Sequence, residues 1–287
     1  MLTSTFCHAP GIGLRTERQL WELGILSWAD FDAYERMRLP VGRNRSRILR
    51  HYLDQSTLHL KTCNPGFFAD LLPADQLWRL FPHFRDRTAY LDIETTGMGT
   101  VDDTITTIAL YDGRNIFWYV HGDNLEEFEE DIPRFQVVIT YNGKCFDLPF
   151  IRNALRVQMD QVHIDLRYLL ASLGYRGGLK GCERKLGIDR EDLDGVDGFF
   201  AVLLWNEYRR NRNRKALETL LAYNILDVVN LEALMVMSYN MKLGETPFAE
   251  SHRLPLPTPP QMPFTPDRAT IEAIRARLHS APSPRWA

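Results

Sequence analysis

The chain has 287 residues, 45% apolar and 25% charged, a composition that excludes global disorder and leaves room for one large domain or two modest ones. Its 34 basic and 37 acidic residues give a net charge of −3, which argues against a protein that coats nucleic acid through a wholesale basic excess but not against a local basic patch. No stretch reads as the ~18 apolar residues of a membrane span, and MLTSTFCHAPGIG lacks a basic-then-apolar leader pattern, so no membrane association is expected.

Residues 1–88 read as a small helical, arginine-rich segment with 12 Lys/Arg against 9 Asp/Glu. Gly11 and Gly13 in Pro10-Gly11-Ile12-Gly13 permit a tight turn before a helical stripe from Leu14 to Leu23. Gly24 is expected to end that helix, and Ser27 with Asp30 forms a capping box for the next. Arg36, Arg38, Arg43, Arg45, Arg47 and Arg50 follow. From Ala89 the pattern changes to strands: AYLDIETT, then TITTIALYD and NIFWYVHG around the turn signal Asp112-Gly113. An acidic amphipathic segment leads to a short apolar strand, VVITYNG. Everything after Asp147 reads as helix, ending in the long KALETLLAYNILDVVNLEALMVMSYNMKL. The expected fold class is therefore α/β, a mixed sheet with flanking helices over residues 89–243, preceded by the helical segment. Nine of the 16 prolines follow Gly244, so 244–287 reads as an extended tail in which Asp267 caps a short terminal helix. That helix either docks back on the body or offers a site for a protein partner.

Four acidic positions stand apart from the solvated majority. Asp92 and Glu94, two apart on a strand, project from one face and repel each other unless a cation neutralises them. Taken alone, the pair reads more readily as a strand end with two exposed carboxylates. Asp147 follows the turn Tyr141-Asn142-Gly143 and, by itself, reads as a helix N-cap. Tyr223 and Asp227 share one face of the long helix at i and i+4, a pair that alone reads more readily as ordinary helix decoration.

In that order, these positions resemble the three motifs of the DEDD exonucleases of the ribonuclease H-like superfamily, in the branch that carries a tyrosine. LDIETTG, ITYNGKCFDLPFI, HIDLRYLL, GGLKGCERKLGI and LLAYNILDVVNLEAL further resemble the bacterial YprB-like ribonuclease H-like proteins, in which a helical segment with a PGIG motif precedes a nuclease domain. The resemblance implies a 3′–5′ exonuclease acting on single-stranded DNA or RNA ends through two divalent ions. It implies that Asp92 bridges both ions, that Glu94 and Asp227 hold the nucleophile-side ion, that Asp147 reaches the other, and that Tyr223 orients water. Hard oxygen ligands favour Mg²⁺ or Mn²⁺ over zinc. Asn142 is a candidate substrate contact and equally a turn former. Lys180 and Arg184 are candidate phosphate contacts or a solvated cationic face. His163 is read as packing at a turn, with Asp165 capping the helix behind it. The PGIG turn resembles the phosphate-binding hairpin of helix-hairpin-helix modules, which would give Gly11 and Gly13 a role in binding; a structural turn is the other reading. The arginines of 36–50 and the run Arg209 to Lys215 are further candidate phosphate contacts. The four cysteines form no CxxC pair, so reduced thiols and a cytoplasmic location are expected. The competing reading is a non-catalytic nucleic-acid-binding module or scaffold.

Overall fold

The β-branched and aromatic runs assemble into a five-stranded mixed sheet. The computed structural model describes residues 1–34, 42–97 and 103–280, so Arg36 and Arg38 lie outside the described residues. The strands are β1 (Thr88–Thr95), β2 (Ile105–Tyr111), β3 (Ile116–Val120), β4 (Val137–Thr140) and β5 (Val162–Asp165), arranged β3-β2-β1-β4-β5. The first three run antiparallel, and Gly113 closes the β2–β3 turn at φ +88°, a left-handed conformation that suits glycine. β4 and β5 then run parallel on the other side of β1. The central strand thus has its chain neighbour on one flank and a crossover partner on the other.

The helices are α1 (Leu14–Glu22), α2 (Trp28–Tyr34), α3 (Arg43–Lys61), α4 (Pro65–Leu71) and α5 (Phe81–Phe84) before the sheet. Within or after it come α6 (Phe128–Asp131), α7 (Asp147–Leu155), α8 (Leu166–Ser172), α9 (Gly178–Leu186), α10 (Gly198–Asn211), α11 (Arg214–Leu243) and α12 (Arg268–Ser280). This matches the expected mixed sheet with flanking helices and a helical front end. The exception is β5, which falls where helix alone was expected. Its four residues are too few to show alternation, and only pairing with β4 makes them a strand. His163 consequently lies on that strand rather than at a turn, with its Nε2 2.9 Å from Thr140 Oγ1. Asp165 does cap α8, accepting from the Arg167 N–H.

Alternation along β1 sorts its two faces. Ala89, Leu91 and Ile93 pack with Phe128, Ile132, Leu148 and Ile151, while Tyr90 joins the core built around α11. Asp92 and Glu94, in phase with Tyr90, therefore face α11. Beyond its exposed first turn that helix is buried on most sides, so its apolar residues form no single stripe. By length and composition it could cross a membrane, contrary to the sequence expectation, but 83% of its most apolar window is buried inside the fold, as befits a core helix.

The N-terminal segment shares this core: Trp78 and Phe81 set their rings against Tyr239 of α11. Its centre is an ion pair removed from water. Glu17 and Arg79 are 0% and 3% exposed, with Arg79 Nη1 2.9 Å from both carboxylate oxygens. Glu17 Oε1 also accepts from the backbone N–H groups of Phe6 and Cys7. Arg79→Ala leaves that carboxylate buried without a counter-charge, so a loss of roughly 3–5 kcal/mol is expected. Thermal or urea denaturation checks this; a variant as stable as the parent would show that the pair contributes nothing.

After α11 the tail runs extended over the body. The Asn240 side chain pairs with both backbone groups of Leu254, and Phe264 meets Trp118 edge-on at 5.1 Å. Asp267 caps α12 by accepting from the Thr270 N–H. Ile271 and Ile274 are buried against the body, whereas Leu278 is exposed. The polar face of α12 grips the loop before α10: Arg268 Nε donates to Asp192 at 3.0 Å, and Arg275 donates to the Asp194 carbonyl.

Candidate active site

Three elements meet at the carboxyl end of β1. Asp92 and Glu94 come from the strand, Asp147 from the first turn of α7, and Tyr223, Asn224 and Asp227 from one face of α11. One carboxylate oxygen from each of Asp92, Glu94 and Asp227 lies within 4.8 Å of the others. Glu94, Asp147, Tyr223 and Asp227 are buried, and Asp92 is partly so. Asp147 does not cap its helix, as its sequence position alone suggested. Phe146 occupies the cap position, and Asp147 Oδ1 instead accepts the Ile93 N–H at 3.1 Å, which pins α7 to β1.

Packing carboxylates together away from water disfavours their charged forms. Burial, reinforced by Asp147, Asp227 and Glu94, raises Asp92 well above the usual carboxylate range. Burial and Asp227 do the same to Glu94. Burial pushes Asp147 up to about 7 despite the backbone N–H bonds that favour its anion. An oxygen-only donor set of this kind fits a hard divalent cation, which would remove the repulsion.

A pH dependence follows. These acids hold protons more tightly folded than unfolded, so the folded state binds more protons between the ordinary carboxylate range and about pH 7, and stability falls as pH rises through that window. Protein in EDTA is expected to melt at lower temperature at pH 8 than at pH 5.5, and saturating Mn²⁺ to flatten the slope. Burial lowers His8, His83 and His163 to about 4 and so tilts stability the other way, which makes the comparison with Asp92→Asn decisive: a slope that this variant leaves unchanged would contradict the charge repulsion.

Around the carboxylates lies a ring of donors. Asn224 Nδ2 donates to Asp92 at 2.8 Å, and Thr107 Oγ1 donates to Asn224 Oδ1, fixing the amide. Lys180 Nζ donates to the Tyr223 hydroxyl at 2.8 Å and stands 4.5 Å from its ring centroid. Arg190 donates through Nη2 to Asp227 and through Nη1 to both oxygens of Glu183, at 2.9 and 2.8 Å. Glu183 also accepts from Asn230 Nδ2. Burial, and then Asp227, Glu94 and Asp92, raise the Tyr223 phenol well above its ordinary value, so it stays protonated.

The structure thus brings together Asp92, Glu94, Asp147, Tyr223, Asp227 and Lys180. Arg184, one turn beyond Lys180 on α9, is solvent-exposed. Asn142 adopts φ +70°, as a turn former does, and its Oδ1 accepts from Arg167 Nη1. Gly11 and Gly13 form no part of the carboxylate cluster. They flank the buried Ile12 in the N-terminal segment, where the element preceding them is only a 3₁₀ turn, Leu2–Ser4. Among the arginines, Arg50 binds Asp32, and the run from Arg209 forms the exposed α10–α11 turn. Sequence reasoning missed Asn224, Glu183 and Arg190. Asn224 was within reach, since it lies three residues before Asp227 on the same helical face. Arg190 sits in an irregular loop with no period to give it away.

Comparison with known proteins bears on this arrangement. A family model described as the RNase_H superfamily matches residues 89–239. No curated protein matches the chain. Among solved structures, the family B DNA polymerase of Pyrobaculum calidifontis superposes with a TM-score of 0.41 at 17% identity, over 54% of this chain and only 24% of the polymerase. NrnC of Brucella melitensis bound to pGG gives 0.40 at 16% identity over 72% of this chain and 93% of that one. The Aedes aegypti Nibbler EXO domain gives 0.38 at 11% identity over 58% and 84%.

Proposed function

The chain belongs to the RNase H superfamily, and from that premise and its carboxylate cluster we propose that it is a metal-dependent nuclease. In its finer form the proposal is a DEDD-type 3′–5′ exonuclease of the tyrosine branch, YprB-like, hydrolysing phosphodiester bonds of single-stranded DNA or RNA with two Mg²⁺ or Mn²⁺ ions. The observation that carries it is the convergence of Asp92, Glu94 and Asp227 within 4.8 Å, with Tyr223 on the same helix face as Asp227.

Divalent ions held there would activate water and stabilise charge on the phosphorus and the leaving 3′-oxygen. Asp92 would serve both ions, Glu94 and Asp227 the nucleophile side, and Asp147 the leaving-group side. Tyr223 suits the task of orienting water. Lys180 donates to the phenol oxygen, so the phenol's own proton remains available to donate elsewhere. The same reading assigns the chemistry to residues 89–243, with 1–88 and 244–287 as flanking units, in a cytoplasmic protein with free thiols. A protein partner for the tail belongs to this reading only as far as the face of α12 that carries Leu278.

One observation favours a second reading, a non-catalytic nucleic-acid-binding module: Arg190 already supplies Asp227 with a cation. End-labelled DNA and RNA single strands with 5′ or 3′ blocks, incubated with Mg²⁺ or Mn²⁺, separate the two. A ladder receding from the 3′ end is expected; no hydrolysis of any substrate would leave the binding module.

A further inference from the structure

The outward face of α8 borders open space that the carboxylate site does not use. This helix buries Leu166, Leu169 and Leu170 and turns Arg167 and Tyr168 to solvent. Tyr168 is 50% exposed, its hydroxyl 3.5 Å from Cys145 Sγ and the rest of a large aromatic surface open to solvent. It stands between two grooves and lines both. One, of about 610 Å³, is walled by Tyr141, Asn142, Arg167, Tyr175 and Arg176. The other, of about 330 Å³, runs between Lys144 and the side chains of Leu77 and Trp78 in the N-terminal segment.

The charges in these grooves favour an anion. Lys144, Arg167 and Arg176 are exposed, and Lys144 Nζ stands 5.9 Å from the Tyr168 ring centroid. Asp165 is consumed by the backbone N–H groups of Asn142, Lys144 and Arg167, and Asp75 bonds to Gln76. The larger groove ends at Gly177 and Gly178, the start of the helix whose Lys180 holds the Tyr223 hydroxyl. Its other wall is the turn that leads from β4 into Asp147. An exposed ring flanked by cations suits an unpaired base with phosphates on either side, because the ring stacks on any base while the cations track the backbone. A duplex hides its base faces and has no use for the ring.

We propose that these grooves are the track on which a nucleic-acid single strand lies, with a base stacked on Tyr168 and flanking phosphates on Arg167, Arg176 and Lys144. The direction of the track toward the carboxylates rests on the nuclease reading; the binding itself does not.

The test is equilibrium binding of the full chain in EDTA, where nothing is cleaved, to fluorescein-labelled oligothymidylate, oligouridylate and a duplex. The single strands are expected to bind better than the duplex, and the preferred one identifies DNA or RNA. Tyr168→Ala is expected to weaken binding roughly tenfold, the order of one lost stacked base, without changing the melting temperature. Tyr168→Trp is expected to retain binding, with its fluorescence quenched by the strand. Arg176→Gln is expected to lower the salt dependence by about 0.7 in log–log slope. Binding of no single strand, preference for the duplex, or unaltered binding by Tyr168→Ala would each overturn the track. Unaltered binding by Tyr168→Ala in a protein that cleaves strands with Mn²⁺ would remove the track and keep the nuclease. Weakened binding in a protein that cleaves nothing would keep the track and remove the nuclease.

Discussion

Asp92→Asn is expected to lower phosphodiester hydrolysis about a thousandfold or more while raising the melting temperature of the metal-free protein. The first effect follows from the proposed role of Asp92 toward both ions, since several kcal/mol of charge stabilisation at the phosphorus depend on holding them. The second follows from the structure itself. Asp92 shares its surroundings with Asp147, Asp227 and Glu94, and its charge is held against burial and three neighbours of like sign. An amide removes that repulsion and still offers its oxygen to Asn224 Nδ2. The gain is expected to be roughly 0.5–2 kcal/mol at pH 8 in EDTA, the usual size when a strained functional group is relieved. Hydrolysis of a labelled strand and a melting curve on the same preparation test both effects. Activity within tenfold of the parent would remove Asp92 from the chemistry, and a lower melting temperature would show that its charge is no burden to the fold.

Arg190→Gln is expected to act in the opposite direction. Arg190 is 7% exposed and neutralises Glu183, which is wholly buried, together with Asp227. Removing the guanidinium leaves two buried carboxylates facing each other, a loss of roughly 3–5 kcal/mol. For a chain of this size that is a fall of about 10 °C in melting temperature. Mn²⁺ is expected to restore part of it, because a cation at the cluster neutralises Asp227 but not Glu183. The double variant Glu183→Gln/Arg190→Gln is expected to recover more than either addition alone would predict. An Arg190→Gln protein that melts with the parent in EDTA would show that the pair with Asp227 has no structural weight. The sign of the Mn²⁺ effect also tests whether cation and guanidinium compete for one carboxylate.

The contrast between these residues explains what could be read from the chain. Strand alternation fixed the common face of Asp92 and Glu94, but it was the order of the acidic motifs, resembling the DEDD exonucleases, that singled the pair out. Helical spacing likewise put Tyr223 and Asp227 on one face, and the same resemblance made them candidates. Asp147 was found, but its hydrogen bond was not: the Ile93 N–H comes from a strand 54 residues away, and no local pattern reports such a contact. β5 escaped because a four-residue strand has no period of its own and exists only through its pairing with β4. Glu17 and Arg79, which no local pattern singles out, are joined across 62 residues in the interior. Local rules therefore oriented these groups, the order of the motifs singled them out, and tertiary packing alone supplied the partners that hold them.

The grip of α12 on the loop around Asp192 and Asp194 has a consequence in time. Synthesis runs from the N-terminus, and the strand, turn and helix that carry the carboxylates emerge before the helix that holds the Arg190 loop in place. A nascent chain can therefore gather every acidic group of the cluster while the loop bearing Arg190 still lacks its brace.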